Sequence, residues 1–215
     1  MSFDLILQIF TILATITLAM SGVLQAARSE MDFFGALVIA CVCALGGGSL
    51  RDLLIGAAPV FWTKDLSYLT AVLPTTFITI YAVQYIPEGK GIRSMLLDIA
   101  DAIGLALFAI LGAQKTIHLG FAEPIAVTMG VITGVAGGMI RDILSQTKPM
   151  VMIRGEFYAS AAIIGTIIYT LVRLFLPETT AMLIGMGVIV VIRLLAIHLG
   201  LSLPQVKFLS NDRRK

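Results

Sequence analysis

Gly-Gly-Gly-Ser-Leu-Arg-Asp at residues 46–52 returns as Gly-Gly-Met-Ile-Arg-Asp at residues 137–142. Arg51 and Arg141 lie 90 residues apart, and further residues match at the same offset on both sides of the motif. These matches are Gly22 with Gly112, Leu54 with Leu144, Pro59 with Pro149, Tyr68 with Tyr158, Thr76 with Thr166, and Pro87-Glu88 with Pro177-Glu178. One register kept over this distance indicates an internal duplication.

The composition indicates a chain that is ordered in lipid. Of its 215 residues 58% are hydrophobic and 13% are charged, against about 45–50% and about 25% in soluble domains. Mean hydropathy is +0.98, which excludes disorder, since disorder needs low hydrophobicity and high charge. A net charge of +2 is too balanced for a nucleic-acid binder. We therefore expect the chain to contact membrane lipids and not to bind nucleic acid.

Seven apolar runs approach the roughly 20 residues that a helix needs to cross a bilayer. They cover Phe3–Ala27, Phe33–Gly56, Tyr68–Ile86, Met95–Leu119, Pro124–Ser145, Phe157–Leu176 and Ala181–Leu201. The first run contains Asp4 and has no basic residue before it, so we interpret it as a retained span and not a signal peptide. The sequence thus predicts an all-α polytopic membrane protein with seven transmembrane helices.

The distribution of Lys and Arg predicts the orientation, because cytoplasmic loops are enriched in these residues. With the N-terminus outside, the outer loops hold only Lys64 and Lys115. The inner loops and tail then hold Arg28, Lys90, Arg93, Lys148, Arg154, Lys207, Arg213, Arg214 and Lys215. The N-terminus is expected outside and the C-terminus in the cytoplasm.

The duplication and the span count together predict an inverted repeat. Each copy contains three spans, so the second copy enters the membrane from the opposite side. The expected segments are a first repeat over residues 1–89, a second over 90–179, a seventh helix over 180–203 and a cytoplasmic tail over 204–215. The seventh helix contains Arg193, has no counterpart in the repeat and is expected to be an accessory or interface element.

Gly46, Gly47 and Gly48 in the second span, and Gly137 and Gly138 in the fifth, predict kinks or breaks. A break frees backbone groups that lipid cannot satisfy, so it must face protein or a water-filled cavity. Such breaks at matching points of an inverted repeat point to a permeation or binding site. The alternative is close helix packing through small residues. Ser49, next to the glycines, either lines a polar path or bonds back to its own helix.

Ionisable residues inside the spans are costly and tend to pair or to line a pathway. Since neighbours on a helix do not face one another, the symmetry suggests cross pairs: Arg51 with Asp142 and Arg141 with Asp52. The alternative is that both arginines snorkel to the headgroups.

Each of the other charged residues in the spans has two possible interpretations. Asp98 and Asp101 lie on one face of the fourth span and either line the pore or favour a helix N-terminus. Lys115 is either a solvated loop charge or a sensor of voltage or ligand. The aromatic residues Trp62, Tyr68, Tyr85 and Tyr158 fall near span ends and are expected to form interfacial belts.

Motifs for common enzyme chemistry are missing from the sequence. It has no phosphate-binding loop, no Gly-x-Ser-x-Gly and no His-Glu-x-x-His. An enzyme, a cofactor and a bound metal are therefore not expected.

The repeated Gly-Gly-x-x-Arg-Asp motif resembles the prokaryotic branch of the trimeric intracellular cation (TRIC) channels, whose bacterial members are also grouped as glycine-transporter domain proteins. The resemblance covers essentially the whole chain. It implies a homotrimer in which each subunit has its own pore for K⁺ and Na⁺, lined by kinked second and fifth helices. By this resemblance the five motif glycines form the kinks, and Arg51, Asp52, Arg141 and Asp142 are the polar residues that follow them. It also implies a bacterial inner membrane.

Three classes of function follow. The first is a monovalent-cation channel, in which glycine-freed carbonyls and paired charges allow weak binding and fast passage; Phe61 or Phe108 would close it by dewetting. The alternative is a secondary transporter of a small zwitterion such as glycine, with Arg on the carboxylate and Asp on the ammonium. The third is a membrane scaffold, which needs only packing by the glycines.

Overall fold

The computed structural model describes residues 3–87, 91–152 and 157–199. This part of the chain is helical and contains no strand. Its helices are α1 (Phe3–Arg28), α2 (Phe33–Leu54), α3 (Phe61–Lys64), α4 (Ser67–Val83), α5 (Ile92–His118), α6 (Glu123–Leu144), α7 (Ala159–Val172) and α8 (Glu178–Leu199), with a 3₁₀ turn (Met150–Met152) before α7. The predicted tail over 204–215, and Glu88, Lys90 and Arg154, lie outside the described residues.

Five helices, α1, α2, α5, α6 and α8, are long and apolar enough to cross a membrane. The predicted third and sixth spans correspond to the shorter apolar helices α4, with 17 residues, and α7, with 14 residues. The all-helical membrane fold is therefore confirmed. The count of seven crossings stays a prediction. The predicted seventh segment corresponds to α8, which begins two residues earlier, at Glu178.

The backbone conformation also repeats at the offset of 90 residues. Helices α2 and α6 begin and end at matching positions. The turn before each helix contains a residue with positive φ, Glu30 at 52° and Gly120 at 86°. The turn after each helix contains another, Gly56 at 68° and Gln146 at 54°. Both copies therefore enter and leave the motif helix through the same turns, although glycine occupies only one position of each matched pair.

Helices α2 and α6 cross at Gly47 and Gly137. A Cβ atom on Gly47 would overlap the carbonyl oxygen of Thr133, and one on Gly137 would overlap that of Cys43. Both helices are continuous through their glycines. The expected interruption, with freed carbonyls, is not present in either helix, so the packing interpretation accounts for this pair of glycines. A bend in α2 or α6 stays a prediction.

Helix α5 forms the centre of the bundle. In its most apolar 18-residue window 72% of residues are buried, against 22–44% in the other four long helices. Glycines allow its neighbours to approach closely. A Cβ on Gly104 would overlap Leu18 of α1, and one on Gly112 would overlap Thr133 of α6. The central position of α5 lets it contact both copies of the Arg-Asp motif.

Candidate ion-conduction site

Each Arg-Asp motif forms an ion pair within itself. Nε and Nη2 of Arg51 both lie 2.8 Å from Oδ1 of Asp52, and Arg141 has the same contacts with Asp142. The prediction that sequence neighbours would not pair is wrong, because the long arginine side chain folds back to its neighbour. The ion pairs therefore lie within the motifs and replace the expected cross pairs. The arginine side chains are 6% and 0% exposed, so neither snorkels to the surface.

The second oxygen of each aspartate binds the segment that follows its helix. Oδ2 of Asp52 accepts a hydrogen bond from the Phe61 N–H at 2.9 Å. Oδ2 of Asp142 accepts one from the Met150 N–H, also at 2.9 Å. Each aspartate thus neutralises its arginine and fixes the start of the next short helical element.

Lys115 completes a group that we call the Arg51 cluster: Arg51, Asp52 and Lys115. Its Nζ donates to Oδ1 of Asp52 at 2.8 Å. Lys115 lies in the last turn of α5 and not in a loop, and its side chain is 33% exposed. It is therefore an ion-pair partner and not a plain solvated charge.

Asp101 and Ser21 complete the Arg141 cluster, which consists of Arg141, Asp142, Asp101 and Ser21. Nη1 of Arg141 lies 2.6 Å from Oδ1 of Asp101 and also contacts Oγ of Ser21. Asp101 and Arg141 have no side-chain exposure. Since α5 begins at Ile92, Asp101 lies beyond the first turn, and the interpretation as a helix N-terminal charge does not apply to it. Asp98, also past that turn, is half-buried.

Helix α5 connects the two clusters. Asp101 and Lys115 are 14 positions apart on one continuous helix, which corresponds to about 21 Å at 1.5 Å per residue. The matching residues of α1 are Thr11 and Gln25, both neutral. Nε2 of Gln25 lies 3.4 Å from Oγ1 of Thr147, beside the Arg141 cluster. The first copy therefore provides neutral polar groups where the second provides charges.

A cavity of 280 Å³, which we call the Arg51 cavity, lies against the first cluster. Its wall is formed by Leu7, Thr11, Arg51, Phe61, Tyr68, Phe108, Leu111, Gln114 and Lys115. Phe61 and Phe108, predicted as a hydrophobic constriction, both belong to this wall. The Arg51 guanidinium lies 5.7 Å from the centre of the Phe61 ring.

Gly48 and Gly138, the last glycine of each motif, leave space for neighbouring side chains. A Cβ on Gly48 would overlap the Phe61 ring, and one on Gly138 would lie 2.9 Å from the Tyr158 hydroxyl. Gly46 is less crowded, with Cδ1 of Ile140 as its nearest neighbour at 3.2 Å. Oγ of Ser49 donates to the Leu45 carbonyl at 2.7 Å and accepts from Nε1 of Trp62 at 3.0 Å. Ser49 thus bonds back to its own helix.

Sequence reasoning misplaced Tyr158, expected in an interfacial belt, and Arg193, expected in an accessory helix, and it did not indicate Ser21. Tyr158 is 2% exposed and Arg193 is 1% exposed, so Tyr158 is not a belt residue. The Arg193 guanidinium lies 4.6 Å from the centre of the Tyr158 ring. Arg193 on α8 therefore points into the bundle beside the Arg141 cluster. Its position inside an apolar span was the available signal.

Comparison with known families identifies the chain. A family model described as Glycine transporter matches residues 8–84 and 98–173, one match in each copy of the repeat. The chain belongs to this family. A relative, the UPF0126 inner membrane protein YadS of Escherichia coli, is 41% identical over 204 residues, which cover 94% of this chain and 97% of that protein.

Solved structures relate this glycine transporter family member to TRIC channels. It is similar to a TRIC trimeric intracellular cation channel orthologue from Rhodobacter sphaeroides, with a TM-score of 0.84 and 32% identity over 91% of this chain and 99% of that chain. A second TRIC cation channel has a TM-score of 0.79 and 34% identity over 97% of this chain and 98% of that chain. The predicted resemblance to prokaryotic TRIC channels is confirmed. The family member is a multi-pass inner-membrane protein.

Proposed function

We propose that the protein is a monovalent-cation channel, a homotrimer whose subunits each contain a pore for K⁺ and Na⁺. The observation that carries this proposal is the likeness to solved TRIC cation channels at 32% and 34% identity over more than nine-tenths of the chain. The excess of basic residues in the inner loops supports an N-terminus outside and a C-terminus in the cytoplasm.

The proposed path enters at the Arg51 cavity and follows α5, which contacts both clusters, past the close crossing of α2 and α6 toward the Arg141 cluster. Pairing of Arg51 with Asp52, and of Arg141 with Asp142, reduces the field that each charge exerts on a passing ion. Conduction needs binding sites weak enough for the ion to leave. The paired motifs meet this requirement better than isolated aspartates would.

The Arg141 cluster is the proposed gate. Arg141 and Asp101 have no side-chain exposure, so an ion passes this level only after their contact opens. The Arg51 cluster already borders a cavity. In this proposal the path is therefore open at the Arg51 cluster and closed at the Arg141 cluster.

A carrier for a zwitterion fits the geometry less well, because a carrier of this type needs a carboxylate that can receive the substrate's ammonium group. Oδ1 of Asp52 accepts from Arg51 and Lys115, and Oδ2 accepts from Phe61. Both oxygens of Asp142 also have partners. These partners would have to move before either carboxylate could receive an ammonium group, and Oδ2 of Asp101, which has no hydrogen-bond partner among the described residues, is buried.

Single-channel recording in planar bilayers under a KCl gradient tests the proposal. We expect discrete currents that reverse near the K⁺ equilibrium potential. Asp52→Asn should lower K⁺ conductance at least tenfold, because the charges of Arg51 and Lys115 then lose their counter-ion; at about 5 Å and an effective dielectric of about 20, one charge costs a cation about 3 kcal/mol. Asp65→Asn, a carboxylate outside the cavity wall, is the matched control.

Two other results would overturn the proposal that the protein is a channel. Absence of current together with saturable uptake of labelled glycine into vesicles would establish a carrier. Absence of both, in protein that elutes as a folded trimer, would favour a membrane scaffold.

A further inference from the structure

The wall of the Arg51 cavity contains cationic and neutral polar groups and no carboxylate among the residues that form it. Arg51 and Lys115 provide the positive charges. The neutral polar groups are the hydroxyls of Thr11 and Tyr68 and the amide of Gln114. A cation that enters this cavity meets two positive side chains, which is unexpected at the entrance of a cation pathway.

Asp52 is withdrawn behind these cations. Its side chain has no exposure, and each of its oxygens accepts a hydrogen bond from the protein. It offsets one of the two positive charges and leaves the other uncompensated. Asp65, three residues before Tyr68 of the wall, accepts from the Ser67 N–H at 2.8 Å and is not part of the wall.

Arg51 and Lys115 both retain hydrogen-bond donors that a bound ion can use. Arg51 binds Asp52 through Nε and Nη2, and its Nη1 has no hydrogen-bonding partner among the described residues. Lys115 uses one of its three N–H groups on Asp52. Burial of a charge is favourable only when it is paired. The uncompensated charge and the remaining donors thus favour an anionic guest.

We propose that the Arg51 cavity binds one small monovalent anion, a halide or a short carboxylate such as acetate. The volume of 280 Å³ holds such an ion with several waters, each of which occupies about 30 Å³ in the liquid. A zwitterion is disfavoured because the wall has no group to receive its ammonium. The bound anion cancels the positive charge at this level, and cation conductance becomes dependent on the anion present. The binding site itself does not depend on the proposed channel function.

Trp62 provides the measurement, because it is the single tryptophan of the sequence. Its indole is held by Ser49, and the preceding residue, Phe61, lies in the cavity wall. Purified protein in detergent is titrated with sodium iodide against sodium gluconate at constant ionic strength. We expect a saturable quench of tryptophan fluorescence on top of linear collisional quenching. Chloride and acetate should displace the saturable component more effectively than gluconate, whose carboxylate carries a bulky hydrated polyol chain.

Three variants test whether the saturable fluorescence quench comes from iodide bound in the Arg51 cavity. Lys115→Met should raise the iodide concentration at half-saturation at least tenfold, and Lys115→Arg should restore it to within threefold of the wild type. Lys64→Met removes an exposed charge outside the wall and should change it less than twofold.

Purely linear quenching in the wild type, or an unchanged saturable component in Lys115→Met, would overturn the proposal. Displacement by glycine as effectively as by acetate would replace the anion site with a zwitterion site. The wild-type competition needs no variant to fold, and fluorescence needs no current. A failure of the proposed channel is therefore distinguishable from a failure of this site.

Discussion

The Asp101 carboxylate of α5 and the Arg141 guanidinium of α6 meet at 2.6 Å, and neither side chain is exposed. The contact joins the central helix to the second motif helix. Removal of one partner from a buried ion pair leaves an uncompensated charge and costs about 3–5 kcal/mol. This pair is therefore the strongest single electrostatic connection that we expect in the bundle.

We predict that Asp101→Asn lowers the midpoint of thermal unfolding by about 10 °C, since 1 kcal/mol corresponds to about 2–4 °C in a chain of this size. Unfolding is measured in detergent by loss of the trimer peak in size-exclusion chromatography. Glu123→Gln, which neutralises an exposed acidic residue at the start of α6, is the control and should shift the midpoint by less than about 3 °C. Equal shifts would contradict the role assigned to the pair.

Gly47→Ala and Gly137→Ala should each destabilise the native bundle. In both, the added Cβ would overlap a carbonyl oxygen of the crossing helix, and backbone atoms cannot move aside as a flexible side chain can. We expect a loss of about 1–3 kcal/mol or more, measured as yield and thermal stability of the folded protein.

Gly187→Ala is the matched control for the two crossing glycines, because nothing lies within 4 Å of its added Cβ. This substitution should be neutral or stabilise α8 by about 0.5–1 kcal/mol through lower backbone entropy in the unfolded state. Gly46→Ala should also be tolerated, since its nearest neighbour is the end of the Ile140 side chain. If Gly47→Ala folds as well as Gly187→Ala, the glycines serve something other than packing.

Phe108→Ala should raise single-channel conductance at least about twofold. Phe108 lies in the wall of the Arg51 cavity and is 2% exposed, so its removal widens a hydrophobic constriction that opposes wetting. Currents are compared in symmetric KCl with those of Phe34→Ala, which removes a 69% exposed ring. An unchanged conductance would place the constriction elsewhere.

Arg193 and Tyr158 should show energetic coupling of about 0.5–2 kcal/mol, the range for a cation over an aromatic face. The measurement is a double-mutant cycle on thermal stability with Arg193→Leu and Tyr158→Leu. A second cycle pairs Arg193→Leu with Tyr169→Leu, which removes another buried tyrosine, and should give no coupling. Equal coupling in both cycles would mean that α8 acts through general packing.

The sequence was sufficient to predict the duplication and most of the helices. The offset that aligns Arg51 with Arg141 also aligns the bounds of α2 and α6. This success has a physical basis: apolar length sets each span, and a duplicated sequence adopts the same local backbone, including the turns at Gly56 and Gln146.

Side-chain partners could not be predicted in the same way. In a membrane both the lipid-facing and the core-facing sides of a helix are apolar, so hydropathy does not show which way α8 directs Arg193 or whether Tyr158 is buried. The pairing of Arg51 with Asp52 was missed for another reason. The spacing rule for helix neighbours describes Cβ positions, whereas the arginine side chain is long enough to fold back.

Helix α5 carries Arg93, Asp98, Asp101 and Lys115, so its formal charge is zero with His118 neutral. A transmembrane potential of 100 mV does about 2.3 kcal/mol of work on each elementary charge that crosses it. When α5 slides as a rigid rod, its acidic and basic groups move together and the work cancels. Membrane voltage therefore does no net work on such sliding, and acts on this helix only when its charged side chains move relative to one another or the helix tilts.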